Sequence, residues 1–193
     1  MYHFYAMLSR MKLINRWGLM RNTRSETISE HSFETAVIAH ALAVLRNTRF
    51  GGSADPERTA VLALFHDAPE IFTGDLPTPV KYHNPKIRDA YKEVELVAQN
   101  RLLNLLPSDL KPSYSAIMFA EQDGDKALLP LVKAADKISA LIKCMEEGRM
   151  GNTEFQKAES ALLETVRGME LREAECFIEE FLPSYGLTLD EQE

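Results

Sequence analysis

Four residues could do metal chemistry together: His31, the adjacent pair His66-Asp67, and Asp136. Imidazole nitrogens and carboxylate oxygens form a mixed donor set. Such a set suits Mn, Fe, Co, Ni or Zn better than Mg or Ca, which favour all-oxygen shells. Four protein ligands on a six-coordinate ion leave positions for a water and one substrate oxygen, as hydrolysis at phosphorus requires. Each residue alone has a plainer reading. His66-Asp67 closes the apolar run VLALFHDAPE, where a buried Asp is costly unless paired or bound to a cation; the competing reading is a His-Asp pair capping a helix. Asp136, beside Ala134, Ala135 and Ile138, points inward by pattern, but Lys133 and Lys137 allow a salt bridge on a solvated face instead. His31 opens the run EHSFETAVIAH and can project from a helix start into a shared cavity. His40 belongs to no motif and is read as a packing histidine, while His3 and His83 are read as surface or local.

The elements that must position these side chains read as helices. Gly51-Gly52, Gly74 to Pro79, Asn84-Pro85, Pro107 to Pro112, Gly124 and Gly151-Asn152 cut the chain into helix-sized pieces. Val94, Val97, Ala98, Leu102, Leu105 and Leu106 recur at three-and-four spacing, which predicts a helix over 84–106. Glu34 to Leu45 and Thr59 to Phe65 are apolar almost all round and should be central. Further helices are expected near 3–14, 127–148 and 153–182, with Ser29, Asp55 and Asn152 as N-caps. No alternating run rich in Val, Ile and Thr competes, so the fold class is all-α, in one compact domain spanning 1–193.

Composition narrows the partners. Hydrophobic residues at 45% and charged residues at 26% are ordinary for a globular protein. A net charge of -7 argues against a broad grip on nucleic acid polymers, though a small anion bound by local cations or a metal stays open. The opening MYHFYAMLSRMKLINRW is interrupted by His3, Ser9, Arg10 and Lys12, so neither a signal peptide nor a membrane span is expected, and the location is read as cytoplasmic. Cys144 and Cys176 are read as unpaired thiols.

The order His31, His66-Asp67, Asp136 resembles the H…HD…D signature of the HD superfamily of metal-dependent phosphohydrolases. The stretches HDAPEIFTGDLPTPVK (66–81) and INRWGLMRNTRSETISEHS (14–32), with RFGG (49–52) and FLPSYGLTLDE (181–191), are similar to the bacterial HD-domain 5'-deoxynucleotidases over nearly the whole chain. Only 113–130 matches poorly. The resemblance implies an HD core over about 29–145 with C-terminal helices packed on it, and a homodimer. It also implies a divalent ion, cobalt by preference, and removal of phosphate from deoxyribonucleoside 5'-monophosphates. It places the metal on His31, His66, Asp67 and Asp136, and the carboxylate of an HDxxE motif on Glu70. Substrate contacts fall on Arg16, Trp17, Asp75, Leu76, Pro77 and Thr78, with His31, Asp67 and Asp136 also touching phosphate.

The residue types fit those roles. Glu70, four positions after His66, can share its face on a continuing or bent turn and act as general base on the attacking water; the alternative is a surface Glu. Arg16 offers a planar fork for two phosphate oxygens, with Arg21, Arg24 and Lys81 as secondary cations. Trp17 can wall the deoxyribose and exclude a 2'-hydroxyl, or anchor the core. Asp75 can accept from the sugar. Few base contacts follow, hence tolerance among bases. Two other readings stand beside this one: a broader HD phosphohydrolase on other nucleotides, and a nucleotide-sensing HD protein without turnover.

Overall fold

The computed structural model describes residues 1–193 apart from Tyr82 and the side chain of Thr78. Its elements are α1 (Phe4–Leu8), α2 (Ile28–Phe50), α3 (Pro56–Phe65), α4 (Glu70–Thr73), α5 (Thr78–Lys81), α6 (Pro85–Leu103), α7 (Lys111–Met118), α8 (Asp125–Arg149), α9 (Gln156–Arg167) and α10 (Arg172–Glu180), with short 3-10 turns between and after them. Among the described residues the one extended pairing outside helices is an antiparallel bridge between Asn15 and Thr27. The all-α expectation holds.

Local chemistry sets the helix starts. The α2 cap is Thr27 rather than Ser29: its side chain accepts from the Glu30 N–H, and Glu30 returns a carboxylate to the Thr27 N–H, a reciprocal capping box. That places His31 a full turn into the helix, rigidly held. Asp55 with Pro56 starts α3, and Asn84 with Pro85 starts α6, each side chain accepting an N–H three residues on.

Helix α2 packs most extensively against α3 and α8, and these three frame the main core of Ile38, Leu42, Leu62, Leu131, Ile138 and Leu141. A second core of Phe4, Met11, Ile28, Ala68, Leu102 and Leu106 seats α1 and α6 beneath the turn that follows α3. His31, His66-Asp67 and Asp136 therefore come from three mutually packed helices and their ends.

Several details differ from expectation. The helix expected over 153–182 is broken: α9 ends at Arg167, and Glu170 in the left-handed region (φ +55°) turns the chain into α10. An unbroken period hides this because Leu162, Leu163, Val166, Met169 and Phe177 all meet the same core. Helix α2 is not buried all round, since Phe33, Val37, His40 and Val44 face outward, so His40 is a surface histidine and not a packing one. Val94 and Val97 on α6 are also exposed; the seam onto the core starts at Ala98. His3 and His83 are exposed as expected. Both cysteines are buried free thiols, with burial raising Cys144 to about 12. Among the described residues no helix is long and apolar enough to cross a membrane.

Candidate metal and active site

The C-terminus of α3 delivers the doublet. After Phe65 the chain tightens into i to i-3 bonds, Ala68 N–H to Phe65 O and Glu70 N–H to Asp67 O, before α4 begins at Glu70. The helix thus bends rather than continues. The bend turns His66, Asp67 and Glu70 toward His31 on α2 and Asp136 on α8.

One metal-ligating atom from each of His31, His66 and Asp67 lies within 4.8 Å of the others. Asp136 joins them, its Oδ1 lying 3.2 Å from His31 Nε2 and 4.0 Å from His66 Nε2. Asp67 Oδ2 is 3.6 Å from His31 Nε2 and 3.2 Å from His66 Nε2.

Both tautomers follow from the outer partners. Ser139 donates its hydroxyl to Glu34 Oε2 at 2.7 Å, so its lone pair receives His31 Nδ1–H at 3.0 Å. His66 Nδ1 meets the carbonyl of Ala63 at 2.6 Å, which can only accept. Each ring therefore turns an Nε2 lone pair toward the two carboxylates, the outer-partner arrangement common to metal-binding histidines. His66 Nε2 is buried and makes no hydrogen bond among the described residues despite the short distance to Asp67. A buried imidazole nitrogen that faces a carboxylate outside hydrogen-bond geometry fits a shared cation.

Electrostatics carry the same demand. Burial disfavours an imidazolium, yet Asp67 and Asp136 override it and raise His66 to about 9. Burial likewise opposes the Asp67 carboxylate, but His66 holds it down at about 2. Lys137 Nζ, 2.9 Å from Asp136 Oδ2, neutralises the outer oxygen and leaves Oδ1 for the cluster; Lys133 is exposed. The two readings of Asp136 thus meet in one carboxylate, with Oδ2 on Lys137 and Oδ1 facing the histidines.

Glu70 is buried, its Oε2 makes no hydrogen bond among the described residues, and burial followed by the charges of Asp67 and Asp75 raises it to about 9. A cation among those carboxylates counters the last two causes. A buried carboxylate oxygen with no structural task is what a proton carrier requires.

Arg16 is half-buried, and its guanidinium feels Asp67, Asp136 and Asp75. It pairs with Glu26, a residue sequence reasoning missed, whose Oε2 also accepts Trp17 Nε1–H at 3.0 Å. Trp17 takes φ +60°, unfavourable for a bulky residue. The strain is held because its N–H donates to Asp75 Oδ2 at 3.1 Å and its ring packs in a T-shaped contact with Phe155, centroids 5.3 Å apart. Leu76 and Pro77, half-buried, lead from Asp75 into α5; the side chain of Thr78 lies outside the described residues. Of the secondary cations, Arg24 pairs with Glu30, Lys81 pairs with Glu95 while its charge also reaches Glu70, and Arg21 is exposed. Ser139 and Glu34 were also missed. Their only sequence signal is spacing, one helical turn after Asp136 and His31 respectively.

The fold is that of the HD-domain phosphohydrolases. A Listeria innocua HD-domain phosphohydrolase superposes with TM-score 0.79 at 24% identity over 95% of this chain and 88% of that one. The cyanophage S-2L HD phosphohydrolase, solved with dA and one catalytic Zn2+ ion, superposes with TM-score 0.66 at 17% identity over 93% and 96%. Residues 3–185 match the family described as 5'-deoxynucleotidase YfbR-like, and the 5'-deoxynucleotidase of Erwinia tasmaniensis is 48% identical over 98% of this chain and 95% of its own. The chain belongs to the YfbR-like 5'-deoxynucleotidase family.

Proposed function

We propose that this protein hydrolyses the 5'-phosphate of deoxyribonucleoside 5'-monophosphates to deoxyribonucleoside and inorganic phosphate, with one divalent ion held by His31, His66, Asp67 and Asp136. The observation that carries this reading is the convergence of two histidine Nε2 lone pairs and two carboxylates beside the uncommitted Glu70. Family membership at 48% identity supplies the substrate class.

The ion, when bound, polarises a phosphoryl oxygen and lowers the pKa of water. Glu70 accepts a proton from the attacking water and returns it to the departing 5'-oxygen, so one carboxylate serves as base and then as acid. Arg16 turns its guanidinium to the phosphate and fixes the phosphorus in line with the water. The Trp17 ring packs on the deoxyribose where a 2'-hydroxyl would project. Asp75 accepts from the sugar, and Leu76, Pro77 and Thr78 shape the pocket wall. These roles involve phosphate and sugar alone, which makes the reaction tolerant of the base.

Cobalt is the ion the resemblance favours; Mn, Fe, Ni and Zn suit the same donors. A homodimer, a cytoplasmic location and an HD core over about 29–145 accompany this reading on family grounds.

The deciding experiment measures phosphate release from dAMP, AMP and deoxyadenosine 3'-monophosphate by protein reconstituted with Co, Mn or Zn. Release from dAMP well above the other two is expected. Equal rates on AMP and dAMP would favour a broader phosphohydrolase, and no release with any ion would leave a nucleotide-sensing protein.

A further inference from the structure

Glu26 lies outside the donor cluster, yet it links the parts that must act together. Its Oε2 accepts from both Arg16 Nη1 and Trp17 Nε1, the side chains assigned to phosphate and to sugar. The link is also made in the backbone: Arg16 N–H donates to Glu26 O at 2.9 Å, and Ile28 N–H donates to Ile14 O at 2.9 Å, on either side of the Asn15–Thr27 bridge. Glu26 directly precedes Thr27, the cap of α2, and His31 follows four residues later on that helix. One carboxylate thus ties the arginine, the tryptophan and the helix carrying His31 into a single rigid unit.

A charge argument says why a carboxylate stands there. Arg16 lies in the field of Asp67, Asp136 and Asp75. A buried guanidinium without a partner of its own is drawn onto those carboxylates and competes with the cation for them. Glu26 supplies that partner. The same oxygen holds the indole at Nε1, while Phe155 makes a T-shaped contact with the ring and Asp75 accepts from the backbone N–H.

Resting on the deoxynucleotidase reading above, we infer that Glu26 is the positioning residue that sets deoxyribose selectivity and phosphate alignment together, by holding Arg16 and Trp17 on one carboxylate oxygen.

The test compares Glu26→Ala and Glu26→Gln with the wild-type chain, all reconstituted with the same metal, by kcat and KM for dAMP and for AMP. Hydrogen bonds to charged groups carry factors of roughly ten to a hundred. Glu26→Ala is expected to lose about that factor in kcat/KM on dAMP and considerably less on AMP, so the preference for dAMP collapses. Glu26→Gln keeps an acceptor for Trp17 Nε1 but loses the charge that holds Arg16. It is expected to lose kcat while retaining the preference. A general destabilisation lowers both substrates in proportion in both variants; that result, or an unchanged preference in Glu26→Ala, overturns the inference. Thermal melts of the reconstituted variants identify any that fail to fold; if Glu26→Ala does, Glu26→Gln, nearly isosteric, decides alone, a fall in kcat at an unchanged melting temperature being expected and an unchanged kcat overturning the inference. Failure of the wild-type chain to release phosphate from dAMP defeats the reading of the site instead, so the two failures are distinguishable.

Discussion

Glu70 and Asp67 are three residues apart, are both carboxylates, and are buried or half-buried side by side, yet their environments part them. His66 holds Asp67 near 2, whereas burial and its acidic neighbours push Glu70 to about 9. His66 favours the charged form of the first, as a cation site needs, whereas burial favours the proton-bearing form of the second. Glu70→Gln is therefore expected to keep metal and nucleotide binding while kcat falls by about a hundredfold to ten-thousandfold. Asp67→Ala should lose the metal itself, as measured by metal content after gel filtration. Near-normal turnover in Glu70→Gln would remove it from the role of base. At Trp17 the left-handed backbone marks a side chain held at a cost of roughly 1–3 kcal/mol. Trp17→Ala should raise activity on AMP relative to dAMP, and an unchanged ratio would return the ring to a packing role against Phe155.

Among the elements, the segment between Trp17 and Thr27 has little regular structure, and α8 holds it in place. Buried Glu147 accepts from Thr23 N–H at 2.9 Å, Thr23 Oγ1 at 2.6 Å, Arg24 N–H at 3.2 Å and Asn152 Nδ2 at 2.8 Å, and it pairs with Lys143. Although burial opposes the charge, these donors, Lys143 and Thr23 foremost, hold its pKa well below the ordinary 4.5. A depressed carboxylate stabilises the fold fully above its unfolded value and loses that contribution as pH falls below it. The melting temperature of the wild-type chain should thus drop as pH is lowered from about 5 toward 3. Glu147→Gln should start lower at pH 7 and show a flatter decline. Parallel curves for the two proteins would mean the loop is held by something other than this charge.

For the molecule as a whole, α2, α3, α8 and the turn into α4 bring two carboxylates and a buried glutamate together, and a cation among them offsets the cost of doing so. Binding only to the folded chain, an ion at a hundred times its Kd adds about 2.7 kcal/mol of stability. For a chain of this size that is roughly 5–10 °C in Tm. Scanning calorimetry with Co or Mn, then with a chelator, should show this rise and its reversal in the wild-type chain and no rise in Asp67→Ala. An equal rise in both would place the ion elsewhere. The three-helix frame also holds the outer partners of the site, since Ser139 on α8 meets both His31 and Glu34 on α2 only because the two helices lie against each other.

Much of this was written in the sequence. His31, His66-Asp67 and Asp136 stand out as candidates because ligating residue types lie on apolar helices where an unpaired charge is costly, but each alone has a plainer reading; their order, with Glu70 completing HDxxE, resembles the HD signature and makes the set. The all-α class follows from apolar periodicity, which is local. What periodicity could not show was the break at Gly168 to Leu171, because both resulting helices bury the same kind of face. Nor could it show the outward stripe of Phe33, Val37 and His40. The partners Glu26, Ser139, Glu34 and Glu147 were decided by tertiary structure alone. Each is an ordinary polar residue by its neighbours in sequence, and acquires its role only through the hydrogen bonds that packing brings within reach. The donor set was a property of the chain; the direction in which each donor points belongs to the fold.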